Sequence, residues 1–206
     1  MPDLGAADDV PAAGDEVREE DWDGRSLDGL RYSGVSFIDV DMTEVRSHGS
    51  VFTDCHFRQV RLNASRHVDS AFVNCTFTQC GFFDSRFENC KMVGSTFTRC
   101  TFSTLAAEGG DWSFVGLAGE DIRSASFTGL RMREADLTGV RADGATLRDL
   151  DLSGASFHGA DLSRADLRGS DLTDLDPAAV ELRGATIGWQ QAVQLASALG
   201  LKVVPD

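Results

Sequence analysis

Residues 155–174 read ASFHG ADLSR ADLRG SDLTD. A large apolar residue recurs at every fifth position: Phe157, Leu162, Leu167, Leu172. Two places before each sits a small one: Ala155, Ala160, Ala165, Ser170. A strand repeats every two residues and an α-helix every 3.6, so neither explains the spacing. A period of five fits a chain that turns two residues inward, makes a corner and repeats. Residues two apart in extended chain point the same way, so the small and large residues share one interior.

The same phase runs outward in both directions without an insertion. From residue 22 to residue 187 it defines 34 central positions, and 29 hold Phe, Leu, Met, Ile, Trp or Tyr. The chain has 43 such residues among 206, which at random would place about seven there. The exceptions are Ser47, His67, Ala107, Ala142 and Pro177. Self-similarity at a short fixed period predicts stacked repeats rather than a globular core.

These residues carry a family resemblance. The pattern A(D/N)LXX, with its Cys/Ser/Thr-Phe variants, resembles the pentapeptide repeat proteins. The resemblance implies an all-β fold, a right-handed quadrilateral β-helix (a pentapeptide-repeat solenoid), with four pentapeptides forming the four sides of each coil. The expected division is an acidic disordered tail over 1–20, the β-helix over 21–187, and a C-terminal capping and dimerisation element over 188–206. In that last segment Trp189, Ala192, Val193, Ala196 and Leu199 fall on one helical face, Gly200 is placed to end the helix, and Leu201–Val204 can add a strand. The tail reading rests on two Pro, two Gly and seven acids against one base in residues 1–20.

The five cysteines, Cys55, Cys75, Cys80, Cys90 and Cys100, all occupy the small interior position. They are expected to be free thiols, because stacked coils hold Cβ atoms farther apart than the roughly 3.8 Å of a disulfide. No CxxC or HxxxH spacing supports a metal site, and no cofactor is implied. No run approaches 18 apolar residues, and no signal region opens the chain, so the reading is cytoplasmic. The Phe-rich stretch 50–104 is core by its spacing. His67 is expected to be a satisfied or partly exposed histidine. Arg46, Arg66 and Arg86 are expected to stack and reach neighbouring carboxylates and solvent.

The net charge of −14 is unevenly placed. Residues 1–21 hold eight acids and one base; residues 22–104 hold nine of each; residues 105–206 hold sixteen acids and nine bases. In the C-terminal half the acids precede the central residue and point outward: Asp111, Asp121, Asp136, Asp151, Asp161, Asp166, Asp171 and Asp176. An acidic rod does not bind nucleic acid directly, but it can occupy a basic groove that does.

Three stretches resemble one branch of the family, the gyrase-interacting quinolone-resistance type (MfpA/Qnr-like). They are SAFVNCTF at 70–77 with GSTF at 94–97, GLRMREADLTG at 129–139, and QQAVQLASALGL at 190–201. The resemblance implies a homodimer of rods joined at the C-terminal element, acting as a non-enzymatic DNA mimic on DNA gyrase. The eight acids named above would then be the contact set. The alternative is a generic interaction scaffold with another protein partner. No nucleophile–base pair, phosphate loop or metal cluster suggests an enzyme.

Overall fold

The computed structural model describes residues 10–204. The chain winds into a four-sided parallel solenoid in which each residue pairs with the one twenty positions on. The pairing runs from Glu16↔Ser36 to Asp166↔Thr186. One side stacks Glu16–Arg18, Ser36–Ile38, His56–Arg58, Thr76–Thr78 and Thr96–Thr98. A second stacks Arg46–His48, Arg66–Val68, Arg86–Glu88, Ala106–Glu108, Ser126–Thr128 and Thr146–Arg148. A third stacks Arg31–Ser33, Val51–Thr53 and Ala71–Val73. The fourth is built of single bridges such as Asp21↔Asp41↔Arg61↔Gly81.

Each strand is three residues long with its middle residue buried, as the period demands. The chain then turns a corner whose residue, two past the centre, often adopts positive φ. Among the described residues seventeen non-glycine residues do so, as do glycines such as Gly24 and Gly144. Short polar Asn and Asp tolerate this left-handed conformation best after glycine.

Identical side chains at one register make columns through the core. Phe37, Phe57, Phe77 and Phe97 stack with ring centroids 4.9, 4.7 and 4.8 Å apart. Tyr32, Phe52 and Phe72 make a second column at 4.8 and 4.7 Å. Burial holds the Tyr32 hydroxyl proton up to about pH 12. An interior void of about 10 Å³ among Phe127, Met132 and Leu147 is too small to house a ligand. The five thiols are free and buried, and desolvation pushes that of Cys90 up to about 11.

Two expectations are corrected at the ends of the rod. Residues 10–20 are not a tail: Glu16–Arg18 pairs in register with Ser36–Ile38, and Val17 is buried beneath Phe37. Val17 keeps the five-residue phase inside an acidic stretch, and averaged composition hides it. Residues 1–9 lie outside the described residues. At the other end, Leu201–Val204 forms no strand and is exposed. The helix Trp189–Ala198 leads the chain off the pairing register first.

Pro177, the last irregular centre, shifts the ladder locally. Gly159 N–H donates to Ala179 O, one residue beyond the usual partner, and Leu162 N–H to Glu181 O restores the register.

Candidate partner-binding surface

Each of the eight outward acids of the C-terminal half has a structural task. Asp111, Asp121, Asp136, Asp151, Asp161, Asp166, Asp171 and Asp176 each accept the backbone N–H two residues on. The distance is 3.0 Å at Asp136, Asp161 and Asp171. A carboxylate at this place satisfies a corner N–H that no strand partner reaches. The recurrence of Asp follows from the corner as much as from any partner.

The eight do not share one side. Asp111, Asp151 and Asp171 lie in one column; Asp121 and Asp161 in a second; Asp136 and Asp176 in a third; Asp166 in the fourth. Four of them are also ion-paired. Arg131 reaches Asp111 at 3.1 Å, Arg123 reaches Asp121 at 2.6 Å, Arg133 reaches Asp151 at 2.6 Å and Arg168 reaches Asp166 at 2.6 Å. Every arginine after residue 104 contacts a carboxylate, with Arg164 on Asp143 and Arg183 on Glu181 among them.

The paired carboxyls sit below the usual range. Arg123 does this to Asp121, and Arg168 to Asp166. The Ser153 hydroxyl, then Arg133, does so at Asp151. At Asp111 burial opposes the shift, and hydrogen bonds from Ser113 and Arg131 outweigh it. Asp136, Asp161, Asp171 and Asp176 make no ion pair among the described residues. They are the carboxylates left with charge to offer.

Glu120 is a functional-looking acid that is structural. It takes a small-residue position, is 7% exposed, and accepts the N–H groups of Arg99 at 2.6 Å and Cys100 at 2.8 Å. In other coils a serine hydroxyl does this, as Ser95 does for Cys75 N–H.

The N-terminal half holds its polar interior by mutual satisfaction. His67 is buried, with Nδ1 2.7 Å from Ser47 Oγ and Nε2 3.1 Å from Ser65 Oγ. In the arginine stack, Arg66 donates to the carbonyl of Asp84 and pairs with its carboxylate, and Arg86 lies 3.7 Å from the same carboxylate. Among the described residues no group of three or more His, Cys, Asp or Glu side chains is placed to hold a metal.

At the C-terminal end, Gln191 ties the helix to the last coils. Its Nε2 donates to Leu167 O at 2.6 Å and Ser170 O at 2.7 Å, and its Oε1 accepts Gly188 N–H. Leu195 packs against the core on the same side. Gly200, at φ +81°, ends the helix. The apolar set from the sequence faces the other way. Trp189 is 77% exposed, Val193 and Leu199 are exposed, Ala192 is exposed, and Ala196 is half-buried. Helical spacing identifies which residues share a face, but not which face meets the rod. Between this helix and the adjoining side lies a groove of about 640 Å³ that includes Arg133, Asp149, Asp151, Asp171, Trp189 and Gln194. No described helix is long and apolar enough to cross a membrane.

Comparison with known proteins bears on this architecture. Eight copies of the family model "Pentapeptide repeats" match residues 135–174, and the model of the SV2A/B/C luminal domain matches residues 27–102. No curated protein matches the sequence. Full-length QnrB1, a plasmid-mediated fluoroquinolone resistance protein, is 20% identical with a TM-score of 0.48, covering 90% of this chain and 100% of its own. HetL, a pentapeptide repeat protein involved in heterocyst differentiation regulation from the cyanobacterium Nostoc sp. strain PCC 7120, is 19% identical with a TM-score of 0.45. That match covers 82% of this chain and 87% of HetL. The matched segment contains the stretch in which the five-residue phase is most regular, and the same phase continues through every coil from Val17 to Ile187. Residues 135–174 therefore match the pentapeptide repeat family, within a fold that keeps the same five-residue phase along the rod.

Proposed function

We propose that the protein is a non-enzymatic DNA mimic that binds DNA gyrase in the cytoplasm and modulates or protects it, with fluoroquinolone resistance as one outcome. The observation that carries this reading is the charge asymmetry of the rod. Residues 105–206 have a net charge of −7, whereas residues 22–104 have none. The resemblance of the segments at 70–77, 129–139 and 190–201 to the gyrase-interacting branch supports the choice of partner.

In this reading two rods join through the outward face of the terminal helix. Trp189 and Leu199 on that face are 77% and 59% exposed, and Val193 is 38% exposed. Joining there brings both acidic halves to the middle of the assembly and leaves the neutral halves as arms. A basic duplex-binding surface then meets its counter-charge at the centre, with long-range attraction speeding the encounter. The ion pairs narrow the contact set to Asp136, Asp161, Asp171 and Asp176. The pairing of the other four acids favours the second reading, a scaffold for a different protein. A gyrase supercoiling assay, with and without a quinolone, separates the two. Inhibition or drug protection at stoichiometric protein supports gyrase, and no effect in either arm removes it.

A further inference from the structure

Of thirteen phenylalanines, eleven sit at central positions and are interior. The two out of phase, Phe83 and Phe114, are 57% and 54% exposed. They differ in backbone. Phe114 is held at φ +60°, and it is the one large apolar side chain among the seventeen non-glycine residues with positive φ. The other sixteen are polar, charged or alanine. A bulky residue in the left-handed region is destabilised relative to glycine, and a ring more than half exposed recovers only part of that by burial. Glycine occupies the equivalent corner one coil earlier, at Gly94, and two coils later, at Gly154. Phe114 thus works against the stability of its own coil.

Its surroundings are charged. Phe114 donates its N–H to the carbonyl of Arg133, whose side chain lies in the groove beside the terminal helix and pairs with Asp151. Along the same side run Asp111, Asp151 and Asp171, and the groove adds Asp149. These four acids outnumber the basic side chains Lys91, Arg131 and Arg133 on the same side, so the aryl ring stands at the edge of a surface with a small net negative charge. An exposed aromatic anchor on a side where acids outnumber bases, with Asp149 and Asp171 outside any ion pair among the described residues, is the composition of a protein-docking surface.

We propose that this side of the rod docks a basic segment of a partner protein, with the Phe114 ring entering an apolar recess flanked by lysine or arginine side chains. The surface deepens the reading of the rod as a charge-complementary binder, and it rests on that reading for its partner. Phe114→Gly suits the backbone, so the variant folds, and its melting temperature rises by about 2–4 °C as strain is relieved. Phe83→Ser, on another side, serves as the control.

Binding is measured for the full-length protein and both variants, against gyrase and against a short peptide alternating arginine and leucine. Loss of about tenfold or more in gyrase affinity for Phe114→Gly, with Phe83→Ser unchanged, supports the docking surface. Equal affinity of the parent and Phe114→Gly overturns it. If the parent does not bind gyrase, the gyrase reading fails, and the peptide decides the surface. Weaker peptide binding by Phe114→Gly than by Phe83→Ser supports it, and indistinguishable binding overturns it.

Discussion

His67 lies face to face on Phe87, with ring centroids 4.7 Å apart and planes 18° from parallel. The imidazole fills a central position that phenylalanine fills one coil later, and two serine hydroxyls satisfy its nitrogens. Burial, and secondarily the nearby Arg66 charge, lowers its pKa from 6.5 to about 3. The unfolded chain therefore takes up a proton below pH 6.5 that the folded rod refuses. The stabilisation is complete above pH 6.5 and declines as pH falls, by a few kcal/mol (about 4) near pH 3. Urea unfolding from pH 7.5 to 4.5 is expected to show this loss in the parent and a flatter profile in His67→Phe. Equal slopes would show that carboxylates elsewhere set the acid limit.

Phe57 stacks on Phe37 and Phe77 at 4.9 and 4.7 Å and is buried. Phe57→Ala opens a cavity between rigid coils that cannot collapse, and it is expected to cost about 3–5 kcal/mol. Phe83→Ser, at an exposed ring, is expected to stay within about 0.5 kcal/mol of the parent. Denaturant midpoints of the two variants check the contrast.

The fold is legible in the sequence because its period is written in side chains. The residue that is large at each centre is the residue that is buried, from Trp22 to Leu172, and Ser47 and His67 keep phase as hydrogen-bonded substitutes. What composition hid is the first strand: charged neighbours around Val17 outweigh one valine in any average. The proposed partner surface is legible as charge but not as geometry. Arg133 and Asp151 are 18 residues apart and meet only because coils stack. The helix is legible from its apolar spacing, but the residue that ties it to the rod is not, because the buried contacts are made by the polar Gln191, which an apolar pattern passes over. The aromatic at 114 could have been found by asking which phenylalanines break phase.

Starting the chain at residue 21 rather than residue 10 removes the strand Glu16–Arg18. That uncovers Phe37 and leaves the amide groups of Ser36–Ile38 without their partners on one edge. The shorter chain is therefore expected to melt several degrees lower by circular dichroism. Identical melting curves would show that Val17 adds nothing to the first coil.

The exposed face of Trp189, Val193 and Leu199 predicts concentration-dependent self-association. Val193→Glu keeps Gln191 and Leu195 on the rod while placing a charge in the apolar face. Light scattering is expected to give a dimer for the parent and a monomer for the variant, with matching circular dichroism. A monomeric parent at all concentrations would refute assembly through this helix.

The last prediction separates charge from architecture at the outward acids. Asp161 and Asp171 each accept a backbone N–H at 3.0 Å, and an asparagine Oδ1 can accept the same bond. The fourfold replacement of Asp136, Asp161, Asp171 and Asp176 by Asn should therefore keep the corners and remove four charges. Gyrase inhibition is expected to fall at least about tenfold, since charged contacts of this kind contribute about 1.4 kcal/mol or more together. The parent's inhibition is expected to weaken as salt rises, because screening shortens the reach of those charges to about 8 Å at physiological ionic strength. The variant should show a shallower salt dependence. Replacing Arg46, Arg66 and Arg86 in the neutral arm is expected to matter less. If the fourfold variant inhibits as well as the parent and the arm variant does not, the contact lies on the arm, and the acids serve the corners alone.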